Sequence, residues 1–219
     1  MTRPAMLALA IGVTVLLASV PLAAQQGTTT QQARDRWNKE FSGALANLNR
    51  LPNAGLVAAM QGRKPGRALD LGTGEGRNAL YLAENGWTVT GVDLSEVAID
   101  QAKKNASQRG LTFEAVVGDL DTYDFGTERY DLVLSFYMHG WHDRSPTDVP
   151  RRILEALKPG GLLVMEAYAK PEVAFGFSVD ELARAFSRLS ILRNESVNEP
   201  ADWDKGNNRH IVRFVAQKK

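Results

Sequence analysis

The chain has 219 residues, 44% of them hydrophobic, enough for one sizeable core with an appendage. Its 26 Lys and Arg balance 25 Asp and Glu, and only Arg3 among these charges precedes Gln25, so the remainder is neutral. A neutral domain lacks the basic surplus that phosphate neutralisation draws on, and no nucleic-acid partner is expected. The absence of cysteine excludes a disulfide framework, a thiol nucleophile, a cysteine-ligated metal and a lipid-acylated N-terminus.

Behind Arg3 runs an uncharged stretch, Ala5 to Ala24, rich in Leu, Val, Ile and Ala, with Pro21 near its end. A short basic start, an apolar run and small residues at Ala23-Ala24 read as a secretory signal peptide over residues 1–24. An uncleaved membrane anchor through 5–24 is the alternative, since about 20 apolar residues just span a bilayer. Pro21 and the small residues favour cleavage, although Leu22 fits the minus-three position poorly. Either reading places the rest of the chain outside the cytoplasm, exported or held at the membrane.

Residues 25–32 read as a polar linker. A helix is expected from Ala33 to Asn49, with Trp37, Phe41, Leu45 and Leu48 on one face. Leu51-Pro52-Asn53 breaks it, and a short helix follows from Ala54 to Gln61. Past the turn at Gly62–Gly66, strand and helix signals alternate, the pattern of a parallel sheet covered on both faces. Strands are expected at 67–71, 88–92, 113–117, 131–136 and 162–167, with helices at 78–85, from Ser95 to Gln108, around Val149–Leu157 and at 179–186. Lys158-Pro159-Gly160-Gly161 reads as a stop and turn before the fifth strand. Two strand-like runs, 191–197 and 211–216, close the chain around a polar loop holding Trp203. With no repeat and no second core, residues 33–219 form a single α/β domain, with helices over 33–61 before its core.

Chemistry concentrates where the first strand runs into Asp70-Leu71-Gly72-Thr73-Gly74-Glu75-Gly76 and then a helix. Glycines let backbone approach a ligand, and a helix start offers unpaired N–H groups. The glycines stand at every second position, whereas the dinucleotide fingerprint needs a glycine where this chain has Arg77. Asp70 at the strand end would repel a pyrophosphate but suits the ammonium of an amino-acid cofactor. Asp93, ending the second strand, is placed to accept from both hydroxyls of a ribose. A nicotinamide oxidoreductase is therefore disfavoured by Asp70 and Arg77, while Asp93 serves either nucleotide.

Together with Val92-Asp93-Leu94-Ser95, Gly118-Asp119-Leu120, Asp131-Leu132-Val133-Leu134-Ser135 and Leu157-Lys158-Pro159-Gly160-Gly161, the loop resembles the successive motifs of class I S-adenosylmethionine-dependent methyltransferases. The stretch Gly76-Arg77-Asn78-Ala79-Leu80-Tyr81-Leu82-Ala83 is similar to their tellurite-resistance/thiopurine-like small-molecule branch. The resemblance implies a Rossmann-like, doubly wound, seven-stranded sheet in the order 3-2-1-4-5-7-6 with the last strand antiparallel. It implies S-adenosylmethionine as cofactor, its methionine end held by Asp70 and the Gly72, Thr73, Gly74 and Gly76 backbone. Asp93 would take the ribose, Leu94 would pack beside the adenine, Asp119 would accept from the adenine amino group, and Leu120 would offer a backbone N–H. Ser135 would lie beside the sulfonium.

The acceptor side falls on Phe136-Tyr137-Met138-His139-Gly140-Trp141-His142-Asp143. Tyr137 or Trp141 is placed for a cation–π contact with the sulfonium. His139 or His142 is a candidate base, with Asp143 orienting an imidazole. The same residues make weak metal ligands, and no metal is expected. Glu166, ending the fifth strand, is either an acceptor contact or a solvated strand end. Methyl transfer to a small molecule is the function expected, with an exported, non-catalytic binding module as the alternative. Intact Asp70, Asp93 and Asp119 argue against decay of the site.

Overall fold

The computed structural model describes residues 29–43, 50–170, 173–201 and 208–219. The apolar segment 1–24, Leu45, Leu48 and Trp203 lie outside them. Seven strands form one sheet: β1 (Arg67–Leu71), β2 (Thr88–Asp93), β3 (Glu114–Val117), β4 (Tyr130–Phe136), β5 (Leu157–Tyr168), β6 (Leu189–Pro200) and β7 (Asn208–Lys218). Their order is β3-β2-β1-β4-β5-β7-β6, as the resemblance implies. The first five pair in parallel, and β7 runs antiparallel between β5 and β6.

Both faces of this sheet are apolar, because successive strand residues point to opposite sides. Leu69, Leu71, Val133, Leu163, Met165 and Phe214 form one core with α6 (Val149–Ala156) and α7 (Val179–Ala185). Ala68, Leu132, Leu134, Leu162 and Val164 form the other with α2 (Ala54–Met60) and α3 (Arg77–Glu84). Two further helices, α1 (Thr30–Ser42) and α4 (Glu96–Gln108), pack on each other.

Three differences from expectation bear on the site and its surroundings. The linker ends early: α1 begins at Thr30 because Thr29 and Gln32 form a capping box, the Thr29 hydroxyl accepting from the Gln32 N–H. Lys158-Pro159-Gly160-Gly161 ends α6 at Ala156, yet it lies within β5 as a bulge rather than before the strand. There Tyr130 pairs with Leu157 and Leu132 already with Leu162, and Gly160 takes up the extra length at φ +78°. The stretch after β4 forms a short helix, α5 (His139–Arg144), where apolar periodicity gives no signal.

Candidate active site

β1, β2 and β3 lie side by side in parallel, so their carboxyl ends open on one edge of the sheet. Each carries an acid at or just past that end, and Asp70, Asp93 and Asp119 all line one cavity of about 960 Å³. Grouping of ligand contacts there is the general property of open α/β sheets.

The turn from β1 into α3 uses Gly72, Gly74 and Gly76 at φ +71°, +55° and +84°, torsions that side chains strain. The three glycines do different work. Gly72 and Gly74 line the cavity, covered only by the side chains of Met138 and Phe41. Gly76 does not line it; a Cβ there would stand 3.2 Å from both Ala102 Cβ and Phe113 Cζ. It packs the turn closely on α4. Gly76→Ala is expected to cost about 2–3 kcal/mol of stability, from left-handed strain and overpacking. Urea denaturation measures it, and ligand affinity of the folded variant should stay within about twofold.

The amides of this loop are engaged internally. Gly72 and Thr73 N–H both donate to the Val92 carbonyl, at 2.8 and 3.1 Å, and Gly76 N–H donates to Thr73 O at 3.0 Å. Gly74 N–H donates to Asp93 Oδ2 at 2.9 Å. The Gly72, Thr73, Gly74 and Gly76 amides are thus held within the protein and are not the free donors that a phosphate cradle uses. Thr73 Oγ1 donates to Asp70 Oδ2 at 2.8 Å, and Gly91 in mid-β2 makes room for it, since a Cβ there would meet Thr73 Oγ1 at 2.7 Å. Burial pushes Asp70 up to about 6, against the Thr73 hydrogen bond and the nearby Arg77 charge. Asp93 is raised by burial as well, and the Ser95 and Gly74 amides oppose the rise.

α1 lies across these strand ends, and Trp37 and Phe41 line the cavity from it. It is pinned at two places. Thr30 Oγ1 donates to Asp119 Oδ2 at 3.0 Å. Asn38 grips the start of α4, accepting from Ser95 Oγ at 2.7 Å and donating to Glu96 Oε2 at 2.7 Å. Leu94 and Leu120 complete this half of the wall.

The opposite half comes from the end of β4 and from α5. Tyr137 sits at φ +58°, which a tyrosine adopts only when its surroundings hold it. Glu166 does so twice, accepting the Tyr137 N–H on its carbonyl at 2.7 Å and the phenol on Oε1 at 2.8 Å. Glu166 is 3% exposed and also accepts from Asn53 Nδ2 at 2.6 Å and Arg213 Nε at 2.8 Å. It does not line the large cavity and is no solvated strand end; it is the centre of a buried polar network under the acceptor wall. Tyr137 lines the cavity with its hydroxyl proton committed to Glu166, so it serves as wall rather than proton carrier.

The two histidines part company. His139 lines the cavity, whereas His142 and Ser135 do not. Ser135 Oγ and His142 Nε2 lie 3.0 Å apart and pair with each other, set back from the residues that line the cavity. Burial, and then the proximity of His139, pushes His142 down to about 3, and exposed Asp143 orients neither ring. The sequence singled out neither Arg144 nor Phe175, which line the cavity, nor Asp121, which accepts from Trp141 Nε1 at 2.7 Å and Ser145 Oγ at 2.6 Å and fixes α5. Asp121 stands two residues past Asp119, an available clue; Phe175 gave none.

Comparison with known proteins agrees with this geometry. A family described as a methyltransferase domain matches residues 68–161. The chain is 38% identical over 151 residues to a ribosomal RNA small subunit methyltransferase C from Alcanivorax borkumensis, an alignment covering 63% of this chain and 45% of that protein. It is 29% identical over 161 residues to a probable S-adenosyl-L-methionine-dependent methyltransferase TehB from Haemophilus influenzae, covering 69% of this chain and 56% of the relative. The chain thus spans about half the length of these curated relatives. The crystal structure of Haemophilus influenzae TehB shares the fold, with a TM-score of 0.66 and 22% identity over 84% of this chain and 67% of that one. Motif order, sheet order and matched domain coincide: residues 68–161 are similar to a methyltransferase domain, and the strands stand in the order that the motifs imply.

Proposed function

We propose that the chain transfers a methyl group from S-adenosylmethionine to a small-molecule nucleophile. The observation that carries this reading is the convergence of Asp70, Asp93 and Asp119, from three adjacent strand ends, on one cavity. When bound, the cofactor supplies an electrophilic methyl group on a sulfonium. Asp70 would take its ammonium; Asp93 would take the ribose hydroxyls; Leu94, Asp119 and Leu120 would hold the adenine. Trp37 and Phe41 exclude water from above. The protein's further contribution is alignment, which in such displacements is worth about 7–11 kcal/mol. A small acceptor is favoured by the concave wall with its aromatic side chains and by a charge balance with no basic surplus.

Calorimetric titration with S-adenosylhomocysteine tests the reading. Binding is expected in the wild type and about 10–100-fold weaker in Asp93→Ala, the loss of a charge-assisted hydrogen-bond pair. No binding at millimolar ligand would refute it. We further propose that residues 1–24 direct export, on the pattern of Arg3, the apolar run and Ala23-Ala24. Sequencing the mature N-terminus from fractionated cells checks this; a soluble cytoplasmic protein retaining Met1 overturns it.

A further inference from the structure

Around α5 the cavity wall carries flat rings, Tyr137, His139, Trp141 and Phe175. His139 stacks on Phe175 with 5.3 Å between centroids and 11° between planes, and meets Tyr168 edge-on at 5.6 Å. Tyr137 meets Tyr168 edge-on at 5.5 Å. Within this box His139 is 7% exposed, and its Nδ1 is buried without a hydrogen-bond partner. Buried polar groups are paired as a rule, so an orphan on a cavity wall points to a partner the protein does not supply. Arg144, one turn along α5, folds back toward Gly140, where a Cβ would stand 3.3 Å from both terminal guanidinium nitrogens. It lines the cavity with no acid holding it among the described residues.

We infer that this half of the cavity takes a planar hydroxyaromatic acceptor, its ring among Tyr137, Phe175 and His139, its oxygen toward Arg144, and its proton passing to His139. The inference rests on the methyltransferase reading above and names its substrate class. A small inorganic oxyanion would need several converging donors, and an aliphatic thiol would gain nothing from flat walls. The groups facing the His139 ring are Arg144 and His142 on α5, Tyr137 before it, Tyr168 on β5 and Phe175 beyond. Burial and the Arg144 charge push its imidazole down to about 4, so it stands neutral and able to accept a proton. The acceptor O–H bond breaks as its proton goes to the imidazole. The oxygen electron pair forms the O–CH3 bond while the S–CH3 bond breaks, its electrons returning to sulfur. The products are a methyl ether and S-adenosylhomocysteine, and the imidazolium, repelled by Arg144, yields its proton to solvent.

The test reads ionisation rather than turnover. Full-length protein saturated with S-adenosylhomocysteine is titrated with 4-nitrophenol at a mildly acidic pH, where the free phenol is mostly protonated, and phenolate absorbance is followed. Binding should lower the phenol pKa by about one unit, raising the phenolate fraction up to about tenfold. Arg144→Ala should abolish the rise and His139→Ala should weaken binding of the protonated phenol about tenfold, both while retaining S-adenosylhomocysteine affinity, which shows that they are folded. Phe175→Ala should weaken phenol binding about fivefold, a loss of stacking area. A wild type that binds S-adenosylhomocysteine but gives no phenolate, an Arg144→Ala variant that ionises the phenol equally well, or a His139→Ala variant that binds the protonated phenol unchanged would overturn this inference alone. Failure to bind S-adenosylhomocysteine would overturn the reading beneath it.

Discussion

Glu166→Ala is expected to destabilise the fold by about 3–5 kcal/mol, the usual consequence of removing one partner from a buried ion pair. The carboxylate is 3% exposed and accepts from Asn53, Tyr137 and Arg213, so its loss takes a buried acceptor from three donors and leaves the Arg213 guanidinium to the exposed Glu199 carboxylate. Asn53 is itself the N-cap of α2, accepting from Gly55 and Leu56 N–H, and the damage spreads to that helix. Glu166→Gln keeps the shape and loses only the charge, and a smaller cost of about 1–3 kcal/mol is expected. Urea denaturation measures both. A shift below about 1 kcal/mol for the alanine variant would mean that the network is solvated and does not hold Tyr137. In folded Glu166→Ala, S-adenosylhomocysteine affinity should persist while the positive-φ turn at Tyr137 relaxes, because Glu166 does not line the large cavity.

The second large effect concerns proton linkage at Asp70. Its folded value, about 6, is raised above an ordinary 3.8, and burial is the main cause. A group raised in this way adds stability below pH 3.8 that is lost as pH rises through about 6, because the folded state must then hold a desolvated charge. An ammonium bound beside the carboxylate reverses the balance and favours ionisation. Ligand affinity should therefore fall as the pH drops below about 6, approaching tenfold per unit, and level off above it. Binding below that pH releases a proton, visible as a dependence of the calorimetric heat on the buffer's ionisation enthalpy. In Asp70→Asn the slope and the released proton should both vanish, together with about 10–100-fold of affinity at neutral pH. A slope that survives in the asparagine variant would assign the proton to another group.

The elements most legible in the sequence are those whose signals are local. Arg67–Leu71 and Glu96–Gln108 appear with the expected limits, because an apolar run ending in Asp70 and a Ser95 cap each define themselves without tertiary help. The order of the sheet followed from the chain of motifs. The acids were legible for the same reason, each closing a strand with no competing role. Other features depend on what lies across the sheet. Gly76 reads as one of three equivalent glycines, and only the approach of Ala102 and Phe113 shows that it packs. His139 and His142 are three residues apart in sequence; α5, which no periodicity announced, turns one to the cavity and the other to Ser135. Glu166 reads as a rim residue until Arg213, 47 positions away, is brought beside it by the antiparallel insertion of β7.

The contact between Gly91 and Thr73 makes two distant positions a single unit of inheritance. A Cβ at 91 would meet Thr73 at Oγ1, Cβ and Cγ2, within 2.9 Å of each, so Gly91→Ala alone is barred by the threonine. Shrinking residue 73 would admit it, but at the loss of the hydroxyl that donates to Asp70. Among descendants of this chain, substitution at the middle of β2 should therefore appear together with a smaller residue in the loop and an altered ionisation of Asp70. The two changes tested singly and together should be strongly non-additive.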